Sequence, residues 1–125
     1  MNIEVSTGEV LDKLSILEIK SENIIEEIKV KNIIKELTYI KNISINLLSN
    51  QDINSIYIQL KEVNTKLWVI EDTIRLKEKN KIFDTEFIEL ARQVYITNDI
   101  RANLKKQINT ITDSHFVEEK SYETY

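Results

Sequence analysis

Residues 60–75 read LKEVNTKLWVIEDTIR, and two helical faces can be read from this stretch. The first is apolar, and its members recur at three- and four-residue steps, which places them on one side of an α-helix; they are Leu60, Val63, Leu67, Ile70 and Ile74. The second carries Asn64, Trp68, Glu71 and Arg75 at similar steps. Because tryptophan is seldom left on a fully solvated face, the stretch predicts a core helix whose second face also has a role.

The composition predicts a single all-α domain over residues 1–125. The chain has one Gly and no Pro, and helix-forming residues fill the long runs between a few Asn, Asp and Ser residues. A chain of 125 residues can bury a core without disulfides or metal. We therefore expect an antiparallel bundle of three to four long helices. The number depends on Lys29–Asn32, where we place a bend or a short loop.

Capping residues predict where the helices begin. Ser6 and Glu9 form a capping box in which the Ser6 hydroxyl accepts from the Glu9 amide and the Glu9 carboxylate reaches back. The second helix covers residues 33–48 and ends at the polar segment 49–52. Asp52 or Asn54 caps the third helix, which runs to about Lys79. Asp84 caps the fourth.

The C-terminal tail, residues 114–125, is predicted to fold back on the bundle. It mixes charges and aromatic residues without helical order. Phe116, Val117, Tyr122 and Tyr125 lie in it, and such side chains are costly to leave in water. His115, Glu118 and Glu119 have ligand types at metal-like spacing, but one histidine in a tail is typical of a surface residue. We expect neither a metal site nor a cofactor.

Charge and composition exclude several partners. The net charge of -4 is spread over both halves without a basic stripe, so nucleic acid is not the expected partner. The absence of cysteine removes disulfides and thiolate metal sites. The polar start and the lack of a long uncharged apolar run predict neither a signal peptide nor a membrane span, and hence a cytoplasmic protein.

Arg101 is the residue that departs from its helical pattern. It occupies the stripe Leu90, Val94, Thr97, Arg101, Leu104 and Ile108, where a hydrophobic residue is expected. A guanidinium among aliphatic side chains needs an anionic partner, because an unpaired buried charge costs several kcal/mol. Glu71 and Glu9 are the candidate partners.

Several segments together resemble an uncharacterised family of small bacterial helical proteins, a domain of unknown function. The segments are residues 6–20, the set Val63, Asn64, Leu67, Trp68, Glu71, Asp72 and Arg75, residues 87–92 with Val94, Tyr95, Asn98 and Asp99, and residues 117–122. The resemblance covers most of the chain except roughly residues 26–60. It implies a soluble bacterial helical domain, associated with surface-polysaccharide and glycosyltransferase genes. It transfers no catalytic roles.

Two hypotheses about function follow from the polar residues. The first is an interhelical polar pocket for a small anionic metabolite such as a sugar phosphate or nucleotide sugar, because arginine forks match phosphate geometry and tryptophan supplies a flat wall. Its residues are Lys13, Trp68, Glu71, Arg75, Asn98, Arg101 and Lys105. The alternative is a structural ion-pair network in a protein-interaction or homodimerisation module.

For that module, the helix-four face with Arg92, Tyr95, Asp99 and Ala102 could form a dimer surface, as could the apolar face of helix three. Packing within one chain is the alternative for both faces. With no Cys, one His and no glycine-flanked Ser, the parts for nucleophilic catalysis are missing, and whether the protein is an enzyme stays open.

Overall fold

The computed structural model describes all 125 residues, as four α-helices and an extended C-terminal tail. The helices are α1 (Thr7–Asn23), α2 (Glu27–Leu48), α3 (Gln51–Lys79) and α4 (Thr85–Ile111). The helices pack against one another and the chain contains no strand. The prediction of an all-α helical bundle is confirmed, with four helices rather than three.

The helix caps agree with the predictions at two of three starts. The Ser6 hydroxyl accepts from the Glu9 amide at 3.2 Å, and the Asp84 carboxylate accepts from the Phe87 amide at 2.9 Å. The cap of α3 was predicted wrongly. Asn50 fills this position, and its side-chain oxygen accepts from the amides of Asp52 and Ile53. An Asn can accept from both amides at once because one oxygen lies over the open end of the helix.

The break between the first two helices was also predicted at the wrong place. The chain leaves the helix at residues 24–26, not at Lys29–Asn32. Ile24 and Glu26 have extended backbone conformations. Ile24 packs against the core, whereas Ile25 and Ile28 are exposed. Tertiary packing of Ile24 therefore ends α1, which explains why no Gly or Pro marks the position.

Helices α3 and α4 form a hairpin. Helix α1 lies across its open half, which consists of the first part of α3 and the last part of α4. The first turn of α1 meets the end of α4, where the Gly8 amide donates to Asn109 Oδ1 at 2.7 Å. Ten residues later, Glu18 accepts a hydrogen bond from Tyr57 and forms a salt bridge with Lys61, and both of these residues lie on α3. Helix α1 thus passes from α4 to α3 and closes this half of the hairpin.

The core lies where α1, α2 and the open half of the hairpin meet. Its buried apolar members are Leu11, Leu14, Leu17, Ile33, Ile40, Ile53, Ile56, Tyr57, Leu60, Leu104 and Ile108. The apolar face predicted for residues 60–74 of α3 turns inward, with Leu60 and Ile70 buried and Val63, Leu67 and Ile74 half-buried. This face packs within the chain.

The other half of the hairpin, which we call the distal hairpin and define as residues 66–96, is much less buried than the half that packs with α1 and α2. Only Ile70 is buried within it. Val69, Leu76, Phe83 and Ile88 are each 57% or 58% exposed. The distal hairpin therefore has one shared apolar seam, and several of its other apolar side chains have no helix packed over them.

The C-terminal tail folds back along α4, as predicted. Glu118 and Glu119 form salt bridges with Lys105 and Lys106, each at 2.9 Å. The Tyr125 hydroxyl donates to Asp99 at 2.7 Å. The tail aromatics stay half or more exposed all the same, so the contacts that hold the tail are mainly ionic and polar. None of the helices combines the length and the apolar character that crossing a membrane would require.

Candidate functional site

An ion pair between α1 and α4 forms the centre of the candidate site. The Arg101 guanidinium donates from Nε to Asp12 Oδ1 at 2.8 Å and from Nη2 to Asp12 Oδ2 at 2.5 Å. This is the two-pronged geometry that makes arginine–carboxylate pairs strong. The Asp12 side chain is 2% exposed and that of Arg101 28%. Naming Glu71 or Glu9 as the hydrogen-bonding partner of Arg101 was therefore wrong, and Asp12 takes this role.

Two further polar side chains complete the surroundings of Asp12. Asn64 on α3 donates from Nδ2 to Asp12 Oδ1 at 2.9 Å and to Ser15 Oγ at 2.7 Å. The Ser15 hydroxyl donates in turn to the Asp12 backbone carbonyl at 2.7 Å. These residues are buried, so the network connects α1, α3 and α4 inside the bundle. A satisfied network of this kind fixes how the helices sit against one another.

The electrostatics of the pair keep both groups charged. Burial alone would raise the pKa of Asp12, but hydrogen bonds from Arg101 and Asn64 and the charges of Arg101 and Lys105 hold it below its ordinary value of 3.8. The hydrogen bonds to Asp12 raise the pKa of Arg101. The network is therefore ionic at neutral pH.

Arg101 and its neighbours line a groove of about 390 Å³ between α1, α3 and α4. Four other residues predicted for the site line the same groove, namely Trp68, Glu71, Arg75 and Asn98. Ile16 and Ile19 of α1 form an apolar wall, and Asn64, Leu67 and Asp72 of α3 complete the lining. The volume falls within the range of small-molecule sites.

The groove contains hydrogen-bond donors that no group of the protein uses. Arg101 binds Asp12 through Nε and Nη2, which leaves Nη1 without a protein acceptor. Arg75, whose side chain is 80% exposed, uses only Nε, in a bond to Glu71 Oε2 at 3.1 Å. Trp68 and Asn98 are half-buried in the groove, and their side chains make no hydrogen bond within the chain. The groove can therefore offer several donors to one acceptor-rich group.

The two lysines predicted for the site lie outside the groove. Lys105 is one turn from Arg101, and it binds Glu9 at 2.8 Å and Glu118 at 2.9 Å. Burial alone would lower the pKa of Lys105, but these two hydrogen bonds raise it. Glu9 therefore contacts Lys105, whereas the capping box had it reaching back to Ser6. Lys13 projects from another face of α1 and pairs with Glu36 of α2 at 2.7 Å.

The tail residues considered as metal ligands are separated in the structure. His115 Nδ1 lies 3.1 Å from Glu4 Oε1, at the opposite end of the chain. Glu118 and Glu119 face Lys105 and Lys106 instead. The three side chains do not converge on one point.

Asp12 is the site residue that the sequence reading missed. A signal for it existed, because Asp12, Ser15 and Ile19 are three and four residues apart and share one side of α1. All three are buried. Asp12 is a charged residue on a buried side of α1, just as Arg101 is a charged residue on the apolar stripe of α4. The two stripes mark Asp12 and Arg101 as polar residues that need partners, but they do not encode how α1 crosses α4 and therefore do not pair the two residues.

The fold and this groove define a class: a small helical bundle with a mixed-charge, tryptophan-lined groove beside a buried ion pair. The chain belongs to a family described as Family of unknown function (DUF6165), whose model matches residues 1–125. The resemblance to a domain of unknown function is thereby confirmed. No curated protein matches the chain. No solved structure matches it.

Proposed function

We propose that the protein binds a small metabolite carrying phosphate and hydroxyl groups, such as a sugar phosphate or nucleotide sugar, in the groove around Arg101. The observation that carries the proposal is the convergence of unused donors on Arg101, Asn98 and Trp68 in one groove. Guanidinium donors suit phosphate oxygens. Such ligands serve surface-polysaccharide synthesis, the setting that the family resemblance implies.

The mixed charge of the groove favours a sugar-bearing ligand over a bare anion. Arg101 and Arg75 provide positive charge, while Glu71 and Asp72 line the same wall. Carboxylates accept hydrogen bonds from hydroxyl groups but repel phosphate. A ligand with its phosphate at Arg101 and its hydroxyls at the carboxylates satisfies both. The indole of Trp68 then supplies a flat apolar wall for the ring.

The guanidinium of Arg101 is preorganised for such a ligand by its bond to Asp12. Asp12, which is itself held by Asn64, fixes the guanidinium from inside the bundle, so orienting it costs little entropy on binding. The pair also limits the choice of test. Removing the guanidinium altogether would leave the Asp12 carboxylate buried and unpaired, which costs about 3–5 kcal/mol of stability.

Arg101→Lys separates binding from folding. Lysine retains a cation for Asp12 but lacks the second nitrogen that can reach a phosphate. We expect glucose 1-phosphate to raise the melting temperature of the wild-type protein, since a ligand at 100 times its Kd adds about 2.7 kcal/mol of stability. Arg101→Lys should abolish most of that rise. Thermal unfolding with and without glucose 1-phosphate, together with calorimetric titration, measures both.

Arg92→Lys is the matched control. Arg92 is also on α4, is exposed, and pairs with Glu89 at 2.8 Å. The same exchange there should leave the effect of glucose 1-phosphate unchanged. If neither sugar phosphates nor nucleotide sugars stabilise the wild-type protein, the groove is not a ligand site. The same conclusion follows if Arg101→Lys and Arg92→Lys are both stabilised as much as the wild-type protein.

A second candidate function, homodimerisation, is favoured by the distal hairpin. Its exposed apolar side chains include Val69 and Leu76, which are seven residues apart and therefore share one face of α3. Exposed apolar patches of this kind mark interaction surfaces. A second copy of the hairpin supplies the missing layer, since two hairpins packed together make a four-helix bundle. Val69 and Leu76 do not line the groove, so substitutions at these two residues test this candidate separately.

A further inference from the structure

The tail and α4 form a second, partly open cavity of about 670 Å³, which shares Arg101 with the groove. The tail is anchored at both ends of this cavity: Glu118 pairs with Lys105, and the Tyr125 hydroxyl donates to Asp99. Lys120, Tyr122, Glu123 and Thr124 contribute to its lining between those anchors. The cavity therefore exists only because the tail folds back.

The two cavities meet at α4. Asn98 and Arg101 line both the groove and the tail cavity. The groove side of this meeting point holds Glu71, Asp72 and a single aromatic ring, Trp68. The tail side also holds carboxylates, Asp99 and Glu123, but it has three aromatic rings, those of Tyr95, Tyr122 and Tyr125. A ligand centred on Arg101 would thus have a hydroxyl-binding wall at one end and aromatic rings at the other.

The tail cavity offers one lysine ammonium group and several tyrosine rings to a ligand. Lys120 lies on its wall, forms no salt bridge within the chain, and has its Nζ 5.9 Å from the centre of the Tyr122 ring. Tyr125 and Tyr95 contact edge to face, with ring centres 5.3 Å apart. Tyr122 is 75% exposed, so its ring is free to stack on a flat partner.

We propose that the ligand is bipartite, a nucleotide sugar whose diphosphate lies at Arg101 and Lys120. Its sugar occupies the groove against Trp68, and its base stacks on the tyrosines of the tail cavity. The C-terminal tail is then part of the binding site. This inference rests on the proposed function, because it places the two ends of the ligand in two cavities that share the same arginine.

The chemistry of the two walls sets the direction of the ligand. Hydroxyl groups need acceptors, which Glu71 and Asp72 provide in the groove. A nucleobase offers a π-face, and stacking on an aromatic side chain tolerates any base. Asp99, at the tail cavity, can accept from a base N–H. The base therefore belongs with the tail and the sugar with the groove.

The test compares each nucleotide sugar with the sugar phosphate that it contains. UDP-glucose is paired with glucose 1-phosphate, and GDP-mannose with mannose 1-phosphate, in calorimetric titrations of the full chain. We expect each nucleotide sugar to bind about tenfold more tightly than its sugar phosphate, the gain that stacking of one base provides. Tyr122→Ala should remove that gain and leave sugar phosphate affinity unchanged.

Two features of the chain control the experiment. Tyr39 on α2 is 65% exposed, and Tyr39→Ala should alter neither affinity. Trp68 is the only tryptophan, so its fluorescence reports on the groove end in every variant. If sugar phosphates bind but nucleotide sugars bind no more tightly, or if Tyr122→Ala keeps the full gain, the tail has no part in the site and the groove proposal stands. If no probe binds, both proposals fail.

Discussion

Asp12 is the one carboxylate buried in the bundle, and its charge depends on residues from two other helices. Arg101 and Asn64 donate to its oxygens, and Lys105 adds a favourable charge. Removing any of these donors leaves a buried anion without its full set of partners, which is expensive in a low-dielectric interior. The residue thus links the fold of α1 directly to the orientation of the arginine in the groove.

The lowered pKa of Asp12 predicts a specific acid sensitivity. A carboxylate whose pKa is lower in the folded state adds stability above its unfolded pKa, and this stability is lost as pH falls through the folded value. We expect the Asp12 contribution to be complete above about pH 4 and to disappear progressively below the ordinary value of 3.8. Urea unfolding at a series of pH values, for the wild type and Asp12→Asn, measures it as the difference between the two curves.

Glu62→Gln is the control for that subtraction. Glu62 is exposed and forms no salt bridge. The difference in free energy of unfolding between the wild type and Glu62→Gln should stay constant over the pH range in which the difference for Asp12→Asn falls. A flat difference curve for Asp12→Asn, from pH 6 down to pH 2, would mean that the pair with Arg101 does not stabilise the folded state.

At the scale of helices, Gly8 sets how closely α1 approaches α4. A Cβ built at Gly8 would lie 2.5 Å from the Lys105 carbonyl oxygen and 2.9 Å from Asn109 Oδ1. The first of these is backbone, which cannot turn aside as a side chain can. The glycine is needed for close helix contact, although it lies in the first turn of a helix, where alanine has the higher propensity.

Gly8→Ala is therefore expected to destabilise the protein. The gain in helix propensity is at most about 1 kcal/mol, whereas overpacking a tight contact costs about 1–3 kcal/mol. The shift of α1 would also lengthen the bond from the Gly8 amide to Asn109. Urea unfolding should show a net loss of about 1–2 kcal/mol, and Lys13→Ala, at an exposed position of the same helix, a change within about 0.5 kcal/mol. Equal or greater stability of Gly8→Ala would contradict the close contact.

Sequence patterns predicted the helices well and their junctions poorly. The inward face of α3 and the caps Ser6 and Asp84 could be read because each depends on residues near in sequence. The end of α1 could not, since it depends on where Ile24 packs against the core. The prediction of the partner of Arg101 was wrong for the same reason, because this contact also depends on tertiary packing. Choosing Asp12 over Glu71 requires knowing how α1 crosses the hairpin, and no local pattern encodes this.

At the scale of the whole molecule, the bundle divides into a packed half and the distal hairpin. The packed half contains α1, α2 and the core, and the groove lies at the boundary. On the helix-four face predicted as a dimer surface, two residues contact the chain's own tail, since Tyr125 contacts both Tyr95 and Asp99. The proposed homodimerisation therefore uses the α3 side of the distal hairpin, at Val69 and Leu76, which do not line the tail cavity.

Self-association through the distal hairpin predicts a mass that depends on concentration. Two copies packed through Val69 and Leu76 would bury apolar surface that each exposes alone, and a stable interface needs about 1,200–2,000 Å² in total. Light scattering at two concentrations should give a mass approaching twice the 14.7 kDa of one chain at the higher concentration. The double variant Val69→Lys with Leu76→Lys should stay at the mass of one chain, because the charges would face each other across the two-fold axis. Ile45→Lys on α2, where the side chain is 65% exposed, should behave like the wild type. A wild-type mass of one chain at both concentrations would leave the distal hairpin without a second copy as its partner.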